Sequence, residues 1–499
     1  MAAIVVSEHR RIQARFLGLA VLAAAGIGSF ALAAVSASAT AVATPSPGQT
    51  SSVPSSPTSA SASASAIVLA DATSNDAAQP SPSVAASQAT PVPSPTPAAP
   101  PNPQVRETFV AQGTEPTVAA DPSNPGVVAV ISQNIYMSGP TSGCSRPSVR
   151  ISHDGGVTWG RPAYPWANQC QDIHATIAWG PRSRLWVGDA IGVPGGVAMS
   201  VAYTDDLGAT WAGRFVQHFT KPWIGCYPSI TVDDWPGSPN FGTVYVAYNW
   251  LPGASGTGVA VMASRTGIGW VHTEVALDSP PAGYPFTWTI GYRIKAAPDG
   301  TAMVSFYQSN LRSWDESNMF SEGSGGNVGA RGFETAVIHF DGKRLTADPP
   351  ATAVSVDHAS AQWQSGLAFD DTGQAWMAVE DGIGISVGRL NGSWQNFSIP
   401  GKDSFKPSVA VSGRTIFVGW HAEDPDGRVW TYYSLSYDGG ETFLTPALVT
   451  GATWYPASAA SLVNGVGLRE NADAADGLFY YVYGDARSGA GVYLAQIRP

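Results

Sequence analysis

The chain has 499 residues and a formal net charge of −11, and its 54 glycines, 39 prolines and 17 tryptophans accompany a charged fraction of only 13%. An acidic, charge-poor, turn-rich chain of this size is long enough for one large β domain, and its charge excludes nucleic acid or an anionic membrane surface as a general partner. No long amphipathic segment of helical period appears after residue 40, which excludes a helical bundle.

Residues 1–39 read as an export signal. Arg10, Arg11 and Arg15 form a positive n-region, Phe16 to Val35 is an uncharged apolar run, and Ala37-Ser38-Ala39 gives the small-x-small cleavage pattern. The run is long for a signal, and about 20 residues can span a bilayer, so an uncleaved membrane anchor is the alternative. Residues 40–105 are Ser/Thr/Pro/Ala-rich, as in TPSPGQTSSVPSSPTSASASASA and PVPSPTPAAPPNP. Such a stretch buries no core and reads as a disordered stalk. The expected location is therefore secreted or tethered at the extracellular surface, with membrane contact only through an uncleaved N-terminal segment.

Residues 106–499 carry repeats. Three eight-residue segments share one template: SHDGGVTW (Ser152 to Trp159), TDDLGATW (Thr204 to Trp211) and SYDGGETF (Ser436 to Phe443). The aspartates Asp154, Asp206 and Asp438 can accept hydrogen bonds from their own turns, the glycine supplies positive φ, and the aromatic wedges beside the next strand. Weaker copies occur at Thr266, Asp341 and Asn391. A second signature opens each unit, as in Glu115-Pro116-Thr117-Val118, Tyr227-Pro228-Ser229-Ile230 and Lys406-Pro407-Ser408-Val409. It leads through a short Asp/Gly turn into an apolar strand: VVAVIS, RLWVGD, TVYVAYN, TAMVSFYQ, QAWMAVED, TIFVGWH and LFYYVYGD. A Gly/Ser-rich stretch, Ser309 to Arg331, reads as an insertion in the fourth unit. The last unit lacks a fourth strand, which the segment around Arg106 to Val110 can supply.

The three aspartate segments resemble the Asp-box, or BNR, motif of sialidase-like β-propellers. That resemblance implies an all-β propeller in which the boxes lie on turns between third and fourth strands and carry no chemistry. Seven four-stranded blades are expected, closed by an N-terminal strand, against the six of sialidases as the alternative. Ligands of such propellers bind on the opposite face. Polar residues end the second strands there: Asn134, Asp189, Asn249, Gln308, Glu380 with Asp381, His421 and Asp485.

The resemblance also implies an arginine-lined carboxylate site, a tyrosine nucleophile with a glutamate, and an aspartate acid/base. Tyr292-Arg293-Ile294-Lys295 resembles the family's arginine motif, although Lys295 stands where the family has proline and the motif falls in the fourth unit. Arg293, Arg487, Asp189, Glu380 and Tyr307 are thus the catalytic candidates, with Arg312 as a further arginine. Trp166, Trp223, Trp288, Trp314, Trp363 and Trp454 fall in loops or before inner strands, where exposed indole faces stack on sugars. Trp288, Trp314 and Trp363, with Asn249, His421 and Asp485, are the ligand-binding candidates. A Cys144–Cys170 disulfide is expected, leaving Cys226 free. No cofactor and no metal site are expected, with a structural Ca2+ left open; the expected state is a monomer. The function read from this is recognition of an extracellular glycan or glycoprotein on the face opposite the boxes. A sialidase-like glycoside hydrolase and a non-catalytic protein scaffold are the alternatives.

Overall fold

A computed structural model describes residues 102–135, 145–166, 174–193, 196–219, 227–253, 256–277, 279–312, 328–356, 364–381, 384–390, 392–455 and 469–499. These residues form seven four-stranded blades in a closed β-propeller ring, and no α-helix occurs among them. The export signal, most of the stalk and all three cysteines lie outside the described residues. Among the described residues no helix is long and apolar enough to cross a membrane.

The seven expected apolar runs are the second strands of the seven blades. The inner strands are Thr114–Ala120, Thr176–Gly180, Ser229–Val232, Phe286–Ala296, Ser365–Phe369, Asp403–Ser412 and Asn471–Ala475. Each is antiparallel to its second strand. The first blade's fourth strand is reduced to a bridge between Val149 and Ala163. The strand Gln104–Gln112 pairs antiparallel with Gly491–Arg498 and completes the last blade, beginning two residues before the expected boundary. The stretch Ser309 to Arg331 is only partly an insertion. Its ends continue the flanking strands, with Ser309 opposite Arg331 and Leu311 opposite Val328.

Second strands such as Leu478–Asp485 are buried almost throughout, because both faces of each sheet are covered by neighbouring blades. Outer strands such as Val271–Glu274 alternate instead, since one face meets solvent. Hydrophobic clusters fill all seven blade–blade interfaces. Each fully buried Val, Leu, Ile or Phe there contributes roughly 1.5–3 kcal/mol.

The aspartate turns explain their own sequence. Asp206 Oδ1 accepts from the Thr204 hydroxyl at 2.7 Å and the Thr210 amide at 2.8 Å, and Oδ2 accepts from the Thr210 hydroxyl at 2.6 Å. Asp154 and Asp438 repeat these bonds. The turn glycine has a second constraint besides its positive φ. A Cβ on Gly440 (φ +82°) would lie 1.9 Å from the Trp376 ring of the preceding blade, so this turn also clamps one blade onto another. The turn aromatics follow the same direction: Phe443 meets Phe397 of the preceding blade edge-on at 5.4 Å.

The Ser/Thr-Val/Ile signature links inner strands around the channel. Ser229 Oγ accepts from the Ile294 amide at 3.2 Å. Ser408 donates to the Glu470 carbonyl at 3.4 Å. Asn471 closes the ring, accepting from the Val118 amide at 2.7 Å and donating to its carbonyl at 2.9 Å.

Candidate functional site

The face opposite the aspartate turns is where the inner strands begin, and it carries a buried polar cluster. Glu470, fully buried, is its centre. One carboxylate oxygen lies 2.8 Å from His421 Nε2; the other accepts from the Gly484 amide at 2.9 Å and lies 3.8 Å from Lys406 Nζ. His421 Nδ1 meets the Thr431 hydroxyl at 3.1 Å. Burial pulls the Lys406 ammonium below its ordinary range, against Glu470 and Glu115, which oppose the shift. Arg293 donates to the Glu470 carbonyl at 2.8 Å and to the Gln364 side chain at 3.3 Å. Burial, with Arg469 nearby, pulls its guanidinium down to about 9. Arg469 in turn donates to the Pro228 carbonyl and lies over the Tyr227 ring at 6.0 Å.

A second constellation sits in the last blade. Arg487 pairs with Glu107 at 2.5 Å and with Asp485 at 3.0 Å, and its guanidinium lies 3.9 Å from the Tyr493 ring. The Tyr483 hydroxyl donates to Glu107. This is a tyrosine–glutamate–arginine trio, but Tyr483 is fully buried, and burial raises its phenol well above the ordinary value, with Glu107 adding to the shift. Burial pushes the Asp485 carboxyl up to about 6 against Arg487 and His421.

The structure thus joins His421 and Arg293 at Glu470, and Asp485 with Arg487, which also pairs with Glu107. It separates the other candidates. Tyr307 is 2% exposed and packs edge-on against Trp288 and Phe333, inside the interface of the fourth and fifth blades. Trp288, at 1% exposure, and Trp166 and Trp454, also buried, present no face to a sugar. Each indole instead fills a hydrophobic cluster. Arg312 does not join Arg293; it is exposed and rests on Tyr284, at 4.9 Å from the ring and 3.0 Å from the hydroxyl. Asp189 and Asn249 are buried at their strand ends, whereas Gln308, Glu380 and Asp381 are half-buried. Asp381 accepts from the Gly384 amide at 2.9 Å and from the Ser386 and Asn396 side chains at 2.5 Å each. The side chain of Asn134, and all of Trp223, Trp314, Trp363 and Cys144, Cys170 and Cys226, lie outside the described residues. Among the described residues no group of three or more His, Cys, Asp or Glu side chains is placed to hold a metal.

Glu115, Lys406, Arg469, Glu470 and Glu107 are the charged residues that sequence reasoning missed. Two of them stood in view. Glu115 and Lys406 open the repeated signature, a charged residue directly before proline at the start of a buried strand. Both adopt positive φ (+54°), as does Tyr227 at +57°.

No protein-family model and no curated protein matches the chain. Solved structures of similar fold include an ulvan lyase (13% identity over 78% of this chain and 95% of that one, TM-score 0.46). An α-L-arabinofuranosidase of Fusarium graminearum is 12% identical over 63% of this chain and 88% of that one, with TM-score 0.43. A Hadza microbial sialidase is 13% identical over 70% and 73%, with TM-score 0.41. These likenesses are weak and concern fold alone.

Proposed function

We propose that this chain is an exported propeller, secreted or held at the cell surface by its N-terminal segment, that recognises an extracellular glycan without cleaving it. The observation that carries this reading is the trio of Tyr483, Glu107 and Arg487, in which the Tyr483 phenol is fully buried. A buried phenol held above its ordinary value is no nucleophile at neutral pH. The central charges support the same reading, because Glu470 is spent on His421, Lys406 and a backbone amide. The sector of the fourth and fifth blades differs. There Arg312 on Tyr284 gives an exposed flat surface, and Gln308 and Glu380 offer half-buried polar strand ends. A guanidinium–phenol plane beside amide and carboxylate groups suits a sugar's C–H face and hydroxyls. Trp314 follows Arg312 by two residues in the chain.

The test is a glycan array together with a fluorogenic sialoside assay on the full chain. Glycan binding that falls at least about tenfold in Arg312→Ala and Trp314→Ala, with no fluorophore release, is the expected result. Fluorophore release that disappears in Arg293→Ala would establish the hydrolase instead. Absence of both binding and release would leave a protein-contact scaffold.

A further inference from the structure

The ring encloses a channel cavity of about 640 Å³. It belongs to the other end of the molecule from the site above. Its mouth lies among the turns that follow the inner strands, on the face of the aspartate turns. Gly155 donates to the Gly126 carbonyl, and Arg414 donates to the Asp438 carbonyl, so both kinds of turn share one end. The volume is that of a small-molecule pocket.

We propose that this channel, entered from the aspartate-turn face, binds a small organic cation, a primary amine with an apolar body, with Asp234 as its counter-ion and Trp235 and Phe241 as its collar. The argument starts from the charges that line the cavity. Lys295 Nζ lies 3.8 Å from Asp473 Oδ1, while Asp473 Oδ2 accepts from the Ala120 amide at 2.9 Å. Those two side chains answer each other. Arg293, at the inner end, is engaged by the Glu470 carbonyl and Gln364. Arg182 is exposed at the rim, where solvent and salt screen it. Asp234 lines the same cavity and has neither a hydrogen-bonded side-chain partner nor a salt bridge among the described residues.

Burial supports this placement. It pushes the Asp234 carboxyl up to about 6, with Asp473 adding to the shift and Lys295 opposing it. A bound ammonium relieves that penalty. The collar has the matching chemistry. The Trp235 indole is held in place by donating to the Ala296 carbonyl at 2.9 Å, and Phe241 is 51% exposed at the mouth. An aromatic collar attracts both the apolar body and the cationic end of such a ligand.

The experiment is isothermal titration of the full chain at pH 8 with phenethylamine, 2-phenylethanol and 3-phenylpropionate. The expected order is amine tightest, with the alcohol and the acid at least about tenfold weaker. Asp234→Asn lowers amine affinity at least about tenfold. Lys295→Met, which removes the competing cation, raises it. Asp234→Asn also removes an unpaired, half-buried charge, so its melting temperature equals or exceeds that of the parent. If that variant nonetheless fails to fold, Lys295→Met decides alone, and weaker amine binding in it overturns the proposal. Equal or tighter binding of the acid, amine affinity unchanged in Asp234→Asn, or no amine binding up to about 10 mM would each overturn it as well.

Discussion

Glu470→Gln is the substitution that probes the buried cluster most directly. The amide keeps the side chain's shape and still accepts from the Gly484 amide, but it removes the carboxylate that Lys406 meets at 3.8 Å and leaves Glu115 as the other acid acting on that buried ammonium. At the observed 3.8 Å, the Lys406–Glu470 attraction is about 4 kcal/mol for an effective dielectric of about 20. Breaking a buried pair from one side costs about 3–5 kcal/mol, so Glu470→Gln is expected to destabilise the protein by that amount. Lys406→Met costs less, about 0–2 kcal/mol, because it removes a desolvated ammonium and leaves Glu470 with His421 and Gly484. In the double variant no charge of the pair stays uncompensated, so the coupling is expected at about 2–4 kcal/mol. Guanidinium unfolding of all four proteins at pH 7, with equal m-values, measures it. A coupling below about 0.5 kcal/mol would refute the assignment of Glu470 as the partner of Lys406.

Leu207 occupies a positive-φ position (+57°) that glycine fills in the other two aspartate turns, so Leu207→Gly is expected to raise stability by about 1 kcal/mol, read as a higher melting temperature. Gly440→Ala pushes a methyl group into the Trp376 ring at a positive φ and is expected to cost about 3 kcal/mol or more, with local loss of hydrogen-exchange protection between the fifth and sixth blades. Hydrogen bonds from the Thr210 and Thr442 side chains hold Asp206 and Asp438 at about 2, and Thr158 holds Asp154 lower still. A depressed carboxyl stabilises the fold above its unfolded value of about 4, and that contribution disappears as pH falls through the folded value. Melting temperature is therefore expected to drop between about pH 4 and 2, and the triple Asp→Asn variant to lose that slope. Deleting residues 102–112 removes the strand that covers Gly491–Arg498, and the expected product is aggregation at the freed edge, seen by light scattering.

The fold was legible because it repeats. Any one of the apolar runs is ambiguous, but seven of them, each preceded by a turn and followed by another, leave little besides a propeller. The weak turn copies at Thr266 and Asp341 fall between third and outer strands, as counted; Asn391 lies outside the described residues. The site was less legible for a physical reason. Strand-end position tells which residues reach a face but not which way they point. Tyr307 and Trp288 stand near the expected level yet turn into the blade interface, where aromatic area is buried. Partnership between blades is equally hidden. Glu107 and Arg487 are 380 positions apart, and Lys406 meets Glu470 across a blade boundary.

The placement of charge in the inner strands separates the two ends of the channel. At the start of the strands, Glu115, Lys406 and Arg469 are buried among backbone carbonyls and one another, so charge there holds blades in register. Two to four positions further along, the residues that face the cavity are mostly small, such as Ala119, Ala178, Ala368 and Ala410. Lys295 and Asp473 replace small residues at that level, and Asp234 follows in the next turn. Small residues would have sufficed to line an inert channel. Three ionisable groups lining one cavity, Lys295 and Asp473 at one level and Asp234 in the turn beyond, with no side-chain hydrogen bond or salt bridge to Asp234 among the described residues, are therefore better explained by a ligand than by folding.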